Sequence, residues 1–293
     1  AMSASRIDRL KSCHFGYFME YGLRAKERTS AGFEAPEVGT FIHYLLENVN
    51  RDVCERGGYG EVDKPALRQL VHHYVDLYAQ TMIDGYDQKG ARFRYLFSRL
   101  RETACAIVEN IADEMAVSDF RPIAFELGFG GKDGQLPAIT VTEGSTALSV
   151  RGKVDRVDGW IKDGKLYLRV VDYKTGQKAF DLSDVRYGLG IQMLLYLFAL
   201  QKEGSGYFGM PVVPAGVLYT PAREIISRED RSIPPEKLEA VLRRKLRRTG
   251  MLLSEPEVLR AMEHSALEKP CYLPIGKVTD GQPAALLPNL LVD

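Results

Sequence analysis

Asp163-Gly164, set between two runs that alternate apolar and polar residues, constrains this chain more than any other feature. A two-residue type I′ turn needs positive φ at both central positions, which Asp-Gly tolerates well, and it locks the register of the strands it joins. Counting outward from Lys162 opposite Lys165 puts Asp155 directly opposite Asp172. Alternation places Lys174 on the face of Asp172, together with Leu166, Leu168 and Val170. An apolar, core-facing row thus ends in an acid and a lysine, with a second acid across the ladder. Like charges directly opposite destabilise a sheet by up to about 1 kcal/mol, and partial burial costs more unless something compensates. A divalent cation is the natural compensation. The bland alternative pairs Asp172 with Lys174 on a solvated face and Asp155 with Arg156 or Arg169, and a one-residue bulge would break the register.

Around this hairpin the periodicity changes twice. Helical spacing runs through Ser5 to Leu10, opened by Ser5 as a cap, through Val38 to Val53, Pro65 to Thr81 and Tyr95 to Met115. After Pro122 the period is two, in Ile123 to Phe129, Ala138 to Val141, Leu148 to Trp160 and Leu166 to Tyr173. Leu189 to Gln201 is apolar and too long for a typical strand, so it is expected as a helix on the sheet, followed by a strand over Ala215 to Thr220. Beyond Pro234 a basic helix carrying Arg243, Arg244, Lys245, Arg247 and Arg248 precedes a Pro-punctuated tail without a clear final element. The expectation is an α/β fold, a mixed sheet flanked by helices with a helical lead-in. It is read as one domain over 1–293, divided into a lead-in (1–120), a core (121–222) and the basic helix and tail (223–293). Ala1 before Met2 reads as an added residue, so the chain is expected to be a domain cut from a longer protein.

The 39 basic and 39 acidic residues cancel, so a nucleic-acid partner would have to be held by a local basic strip beside a local acidic site. No run of about 18 apolar residues and no secretory pattern at the start is found, so the chain reads as cytoplasmic, with no membrane partner. Cys13, Cys54, Cys105 and Cys271 form no C-x-x-C pair, which argues against a zinc site and for reduced, mostly buried thiols.

Two carboxylate donors suit Mg²⁺ or Mn²⁺, which keep several waters and accept a phosphate oxygen as a further ligand. Such a metal acidifies a bound water and neutralises charge on the phosphoryl group. Lys174, as an ammonium beside the acids, would orient the attacking water or stabilise the pentacoordinate phosphate. Gln192 and Tyr196 lie one helical turn apart and share a face, either reaching the site together or forming a buried polar pair. The basic helix with Arg243, Arg244 and Arg247 is either a DNA-contacting surface or a solvated helix face. His43 alone would be an ordinary structural histidine, and Glu126 is a weaker candidate for the site, its bland reading an exposed glutamate on a strand.

Gly152-Lys153-Val154-Asp155-Arg156-Val157-Asp158, then Asp172-Tyr173-Lys174-Thr175-Gly176, then Gln192 with Tyr196, resemble the motifs of the RecB-like branch of the PD-(D/E)XK nuclease superfamily. Ser5 to Phe18 and Gly39-Thr40-Phe41-Ile42-His43 are similar to the opening of the nuclease domain in AddB-type helicase-nuclease subunits. The resemblance implies a restriction-endonuclease-like core, Mg²⁺-dependent DNA cleavage by an exonuclease or nuclease domain, and end processing in recombinational repair beside an AddA-like partner subunit. It puts metal ligands at His43, Asp155 and Asp172, with Asp155, Asp172, Lys174, Gln192 and Tyr196 as the catalytic set. Relatives of this type often hold a 4Fe-4S cluster. Cys13 matches its first ligand, but this chain lacks the three closely spaced cysteines that would follow, so a cluster is expected only in a longer parent. The alternative in another class is a non-catalytic DNA-binding or scaffolding module; retention of Asp155, Asp172, Lys174 and His43 together argues against it.

Overall fold

The computed structural model describes residues 2–25, 35–83, 85–130, 134–176, 180–223, 234–279, 282–285 and 291–292. The chain opens with β1 (Met2–Ser3), α1 (Ala4–Ser12), α2 (His14–Tyr17) and a π-helical turn over Phe18–Gly22. Ser3, not Ser5, caps α1: β1 pairs with a later strand and holds Ser3 extended, where its hydroxyl accepts from the Arg6 N–H. Then come α3 (Ala35–Glu55), α4 (Lys64–Met82) and, after a short 3₁₀ turn, α5 (Ala91–Ala116). Asp63 caps α4 and Pro65 sits in its first turn, where a missing N–H costs nothing. On α3, Phe41, Ile42, Leu45, Leu46, Val49 and Val53 recur at three- and four-residue spacing and are all buried.

The strands follow as β2 (Arg121–Phe129), β3 (Ile139–Glu143), β4 (Thr146–Lys162) and β5 (Lys165–Lys174). After them come α6 (Leu182–Arg186), α7 (Gln192–Phe208), β6 (Val212–Pro221), α8 (Pro235–Leu246), β7 (Thr249–Leu253), α9 (Pro256–Met262), β8 (Ile275–Thr279), β9 (Gln282–Ala285) and β10 (Leu291–Val292). The main sheet runs β2-β4-β5-β6-β7-β10, and the first part of β4 also carries β1 and β3. β5 and β6 are parallel, joined by α7 packed on one face, whereas β4–β5 and β6–β7 are antiparallel. Covered on both faces, β5 buries Leu166, Leu168, Val170 and Val171. One core holds α3, α4, α5 and α9 against the sheet; the other holds α7 and Ala4 of α1 against its opposite face.

Asp163 (φ 49°) and Gly164 (φ 71°) both adopt the positive φ that a type I′ turn requires. The ladder then runs without a shift from Lys162 opposite Lys165 to Arg156 opposite Val171, so Asp155 and Asp172 are the next pair outward. The same strand pairs Phe125 with Arg156 and Leu127 with Val154, which puts Glu126 across from Asp155 on the other side.

Three further expectations need correction. The basic helix ends at Leu246, and Arg248 lies outside it, fully buried on Glu114 and Asn110. The tail is not featureless: β7 extends the sheet and α9 buries Val258, Leu259, Ala261 and Met262. Of the four free thiols only Cys105 is buried, because Cys13 sits at a surface helix start, Cys54 near the end of α3 and Cys271 in the segment between α9 and β8. Among the described residues, no helix is long and apolar enough to cross a membrane.

Candidate active site

Three acids on adjacent strands converge with a histidine from the helical layer. Asp155 of β4 accepts a hydrogen bond from the Tyr173 backbone N–H at 2.9 Å, which ties it to β5. His43 of α3 places Nε2 3.1 Å from the Tyr173 carbonyl oxygen and Nδ1 3.4 Å from Asp155 Oδ2. A carbonyl only accepts, so Nε2 carries a proton, and Nδ1 faces the acids. Glu126 of β2 joins them: ligand atoms of His43, Glu126 and Asp155 lie within 4.8 Å of one another. This is the one such group of three among the described residues.

Glu126, the weaker candidate in the sequence, is not the exposed strand glutamate of the bland reading. Its side chain is only 15% exposed and paired with Lys153, and its backbone φ of 49° is rare for a residue with a Cβ. A polar residue between Phe125 and Leu127 is the available signal. Its meaning depends on the β2–β4 register, which no short turn fixes.

Asp172 is 3% exposed. Burial first, and then the neighbouring Asp155 charge, push its carboxyl up to about 6, against the opposing pull of Lys174 and His43. Lys174 Nζ lies 2.5 Å from Asp172 Oδ2, yet that oxygen takes no properly aligned hydrogen bond. Burial lowers the affinity of His43 for its second proton, but Asp155, Asp172 and Glu126 outweigh it and raise the imidazole overall. Glu126 is raised too, chiefly by burial, with Lys153 opposing. Surplus negative charge, a partly orphaned buried carboxylate oxygen and an imidazole nitrogen aimed among acids together fit a divalent cation with oxygen and nitrogen donors.

Lys174 also sits 5.5 Å above the Tyr219 ring, with 29% of its side chain exposed, so its ammonium can reach an incoming group. Gln192, at the start of α7, donates from Nε2 to the Tyr196 hydroxyl at 2.8 Å. Tyr196 is nearly buried, packs edge-on to Phe129 at 5.2 Å and bonds the Lys153 backbone. The glycine that opens the β4 motif follows from this packing: a Cβ on Gly152 would lie 2.5 Å from Tyr196 and 2.7 Å from Phe129. Gln192 and Tyr196 thus back the strand that carries Asp155.

A buried ionic network fixes the other face of the hairpin. Arg156 and Arg169 both bond Asp158, instead of reaching Asp155, and Arg169 and Arg248 meet Glu114 of α5. Arg156 also donates to the Tyr173 hydroxyl at 2.9 Å. Burial alone would raise Glu114, but Arg248, Arg169 and Arg156 hold it down at about 2. Tyr173 therefore has its side chain anchored in this network and its backbone bonded to both Asp155 and His43.

Outside the centre, Cys13 is exposed and caps α2 by accepting from the Gly16 N–H. Arg243 and Arg244 lie in the last turn of α8; Arg247, just beyond it, donates to the Pro270 carbonyl oxygen.

Residues 1–271 match the model of the PD-(D/E)XK nuclease superfamily. Over 281 residues the chain is 34% identical to an ATP-dependent helicase/deoxyribonuclease subunit of Acetivibrio thermocellus, covering 95% of this chain and 24% of that protein. The protein of the same name from Caldanaerobacter subterraneus subsp. tengcongensis is 36% identical over 267 residues, 89% of this chain and 22% of its own length. That of Pelotomaculum thermopropionicum is 33% identical over 287 residues, 97% and 25%. The chain thus spans about a quarter of the length of the curated relatives it matches.

Proposed function

The chain belongs to the PD-(D/E)XK nuclease superfamily, and from that membership and the geometry of the site we propose that it hydrolyses DNA phosphodiester bonds with a divalent metal, Mg²⁺ or Mn²⁺. The observation that carries this reading is the convergence of Asp155, Asp172, His43 and Lys174 from three separate elements. Asp155 and Asp172 would hold the metal, with His43 Nδ1 and Glu126 completing the donor set. Bound there, the metal would supply an acidified water and neutralise charge on the phosphoryl oxygens.

This chain's own residues do the rest. Lys174 donates to the attacking water or to a phosphoryl oxygen as negative charge grows on it. The Tyr173 carbonyl keeps the proton of His43 on Nε2, so that Nδ1 can act as a donor atom. Tyr196 and Gln192 brace β4 behind Asp155, and Arg243, Arg244 and Arg247 contact phosphates without reading sequence.

Residues 1–293 act, in this reading, as one nuclease domain of a longer cytoplasmic protein. The names of its relatives support a place in a helicase-nuclease complex that processes double-strand-break ends, beside an AddA-like helicase partner. Cys13 would serve a 4Fe-4S cluster only with cysteines from elsewhere in such a protein.

The test is incubation of the chain with linear single-stranded and duplex DNA in Mg²⁺, Mn²⁺ or EDTA, beside Lys174→Ala. Cleavage should require metal and fall by about 10²- to 10³-fold in the variant, while metal binding persists. A wild-type chain that binds neither metal nor DNA would sink the reading.

A further inference from the structure

We propose that the cleft leading from Lys174 along the join of β6, β7 and α8 is a phosphate track, gripping the DNA backbone on one side of the scissile bond. The proposal rests on the nuclease reading and adds to it where the strand lies. A cavity of about 300 Å³ is lined by Lys174, Arg223, Arg244, Lys245 and Arg247, and by no carboxylate among the described residues. A second cavity, of about 380 Å³, shares Arg244 and Arg247 with the first and adds Arg243 and Lys269, with Glu236 as the one acid among the described residues that line it. In a chain whose 39 basic and 39 acidic residues cancel, this is a local concentration of one sign. Such crowding costs self-repulsion and favours a polyanion.

Cations in the last turn of a helix can be explained by the helix dipole alone, which covers Arg243, Arg244 and Lys245. It does not explain Lys174 from β5, Arg223 from beyond β6, Arg247 from beyond α8, or Lys269, which converge on the same two cavities from other parts of the chain. Arg223 lines the first cavity, and its buried Nε has no hydrogen-bond partner among the described residues. The neighbouring arginines differ in use. Arg248 is spent inside the protein on Glu114 and Asn110, whereas Arg247 stays on the cavity wall, braced by the Pro270 carbonyl. Because Lys174 belongs both to the reaction centre and to the first cavity, a strand whose phosphate is cut there would place its next phosphates against Arg223 and Arg244.

The experiment measures binding of a labelled single-stranded oligonucleotide by fluorescence anisotropy across a salt series, with EDTA present so that nothing is cut. Arg223→Gln and Arg244→Gln should each weaken binding about tenfold at low salt and flatten the plot of log K against log salt by about 0.7. Lys202→Gln, at an exposed position of α7, should change neither. A walk of neutral methylphosphonate linkages along the strand should then weaken binding on one side of the cut position only, and Arg244→Gln should erase one of those steps. Wild-type binding with unchanged slopes in both variants would overturn the track and leave the nuclease reading standing. A wild-type chain that does not bind DNA would remove both.

Discussion

Replacing Asp172 by asparagine should make the metal-free protein more stable, although it removes a residue assigned to metal binding. The Asp172 carboxyl is raised from 3.8 to about 6 by burial and by Asp155. A raised carboxyl holds its proton more tightly folded than unfolded, so its contribution is fully present below 3.8 and is lost as pH rises through about 6. At about 1.4 kcal/mol per pH unit, the buried charge costs about 3 kcal/mol above pH 7. Asparagine keeps the shape without the charge. In EDTA at pH 8, Asp172→Asn should therefore unfold about 6–12 °C above wild type, as expected for such a change in a domain this large. Near pH 4 the gap should close, because wild type then carries the proton itself. Mg²⁺ or Mn²⁺ at about 100 times its Kd should restore about 2.7 kcal/mol to wild type and nothing to the variant. The assay is thermal unfolding by circular dichroism at both pH values, with and without metal. A variant less stable than wild type at pH 8 in EDTA would refute the reasoning, since it would mean that Lys174 already compensates the acid pair.

Three further outcomes follow from the same contacts. Metal binding should strengthen as pH rises through about 6 and release protons, since Asp172 and His43 must give them up; titration calorimetry in buffers of different ionisation enthalpy would register this, and a pH-independent affinity would contradict it. Glu114→Gln leaves Arg169 and Arg248 buried with less charge to meet them, so urea unfolding should show a loss of about 3–5 kcal/mol. Gly152→Ala should cost about 1–3 kcal/mol and slow cleavage, because the added methyl must displace Tyr196 and Phe129 from behind Asp155; cleavage at the wild-type rate would show that this bracing does not matter.

What is legible in the sequence and what is not divides along contact distance. The β4–β5 register is legible to the residue because one turn sets it, and Asp155 next to Asp172 follows by counting. α7 is legible because an apolar run of that length exceeds a typical strand. Glu126 misleads because its neighbour across the sheet depends on a pairing that no local signal fixes. Arg248 reads as part of a basic helix because the sequence gives its charge and says nothing of a partner 134 residues away at Glu114. His43 illustrates the same limit: nothing near it in the chain reveals that its contacts lie with Tyr173 and Asp155.

The hairpin between Asp155 and Asp172 also dictates the order in which the site can be assembled. Its two acids meet once a short loop has closed, at small entropic cost, whereas His43 must arrive from 130 residues away. A chain in which only the hairpin has formed holds the repulsion between the acids without the imidazole that accompanies them. Docking of α3 sets His43 Nδ1 beside the acid pair, and a metal ion added during refolding, shared by that nitrogen and the acids, should favour the docked state over the hairpin alone.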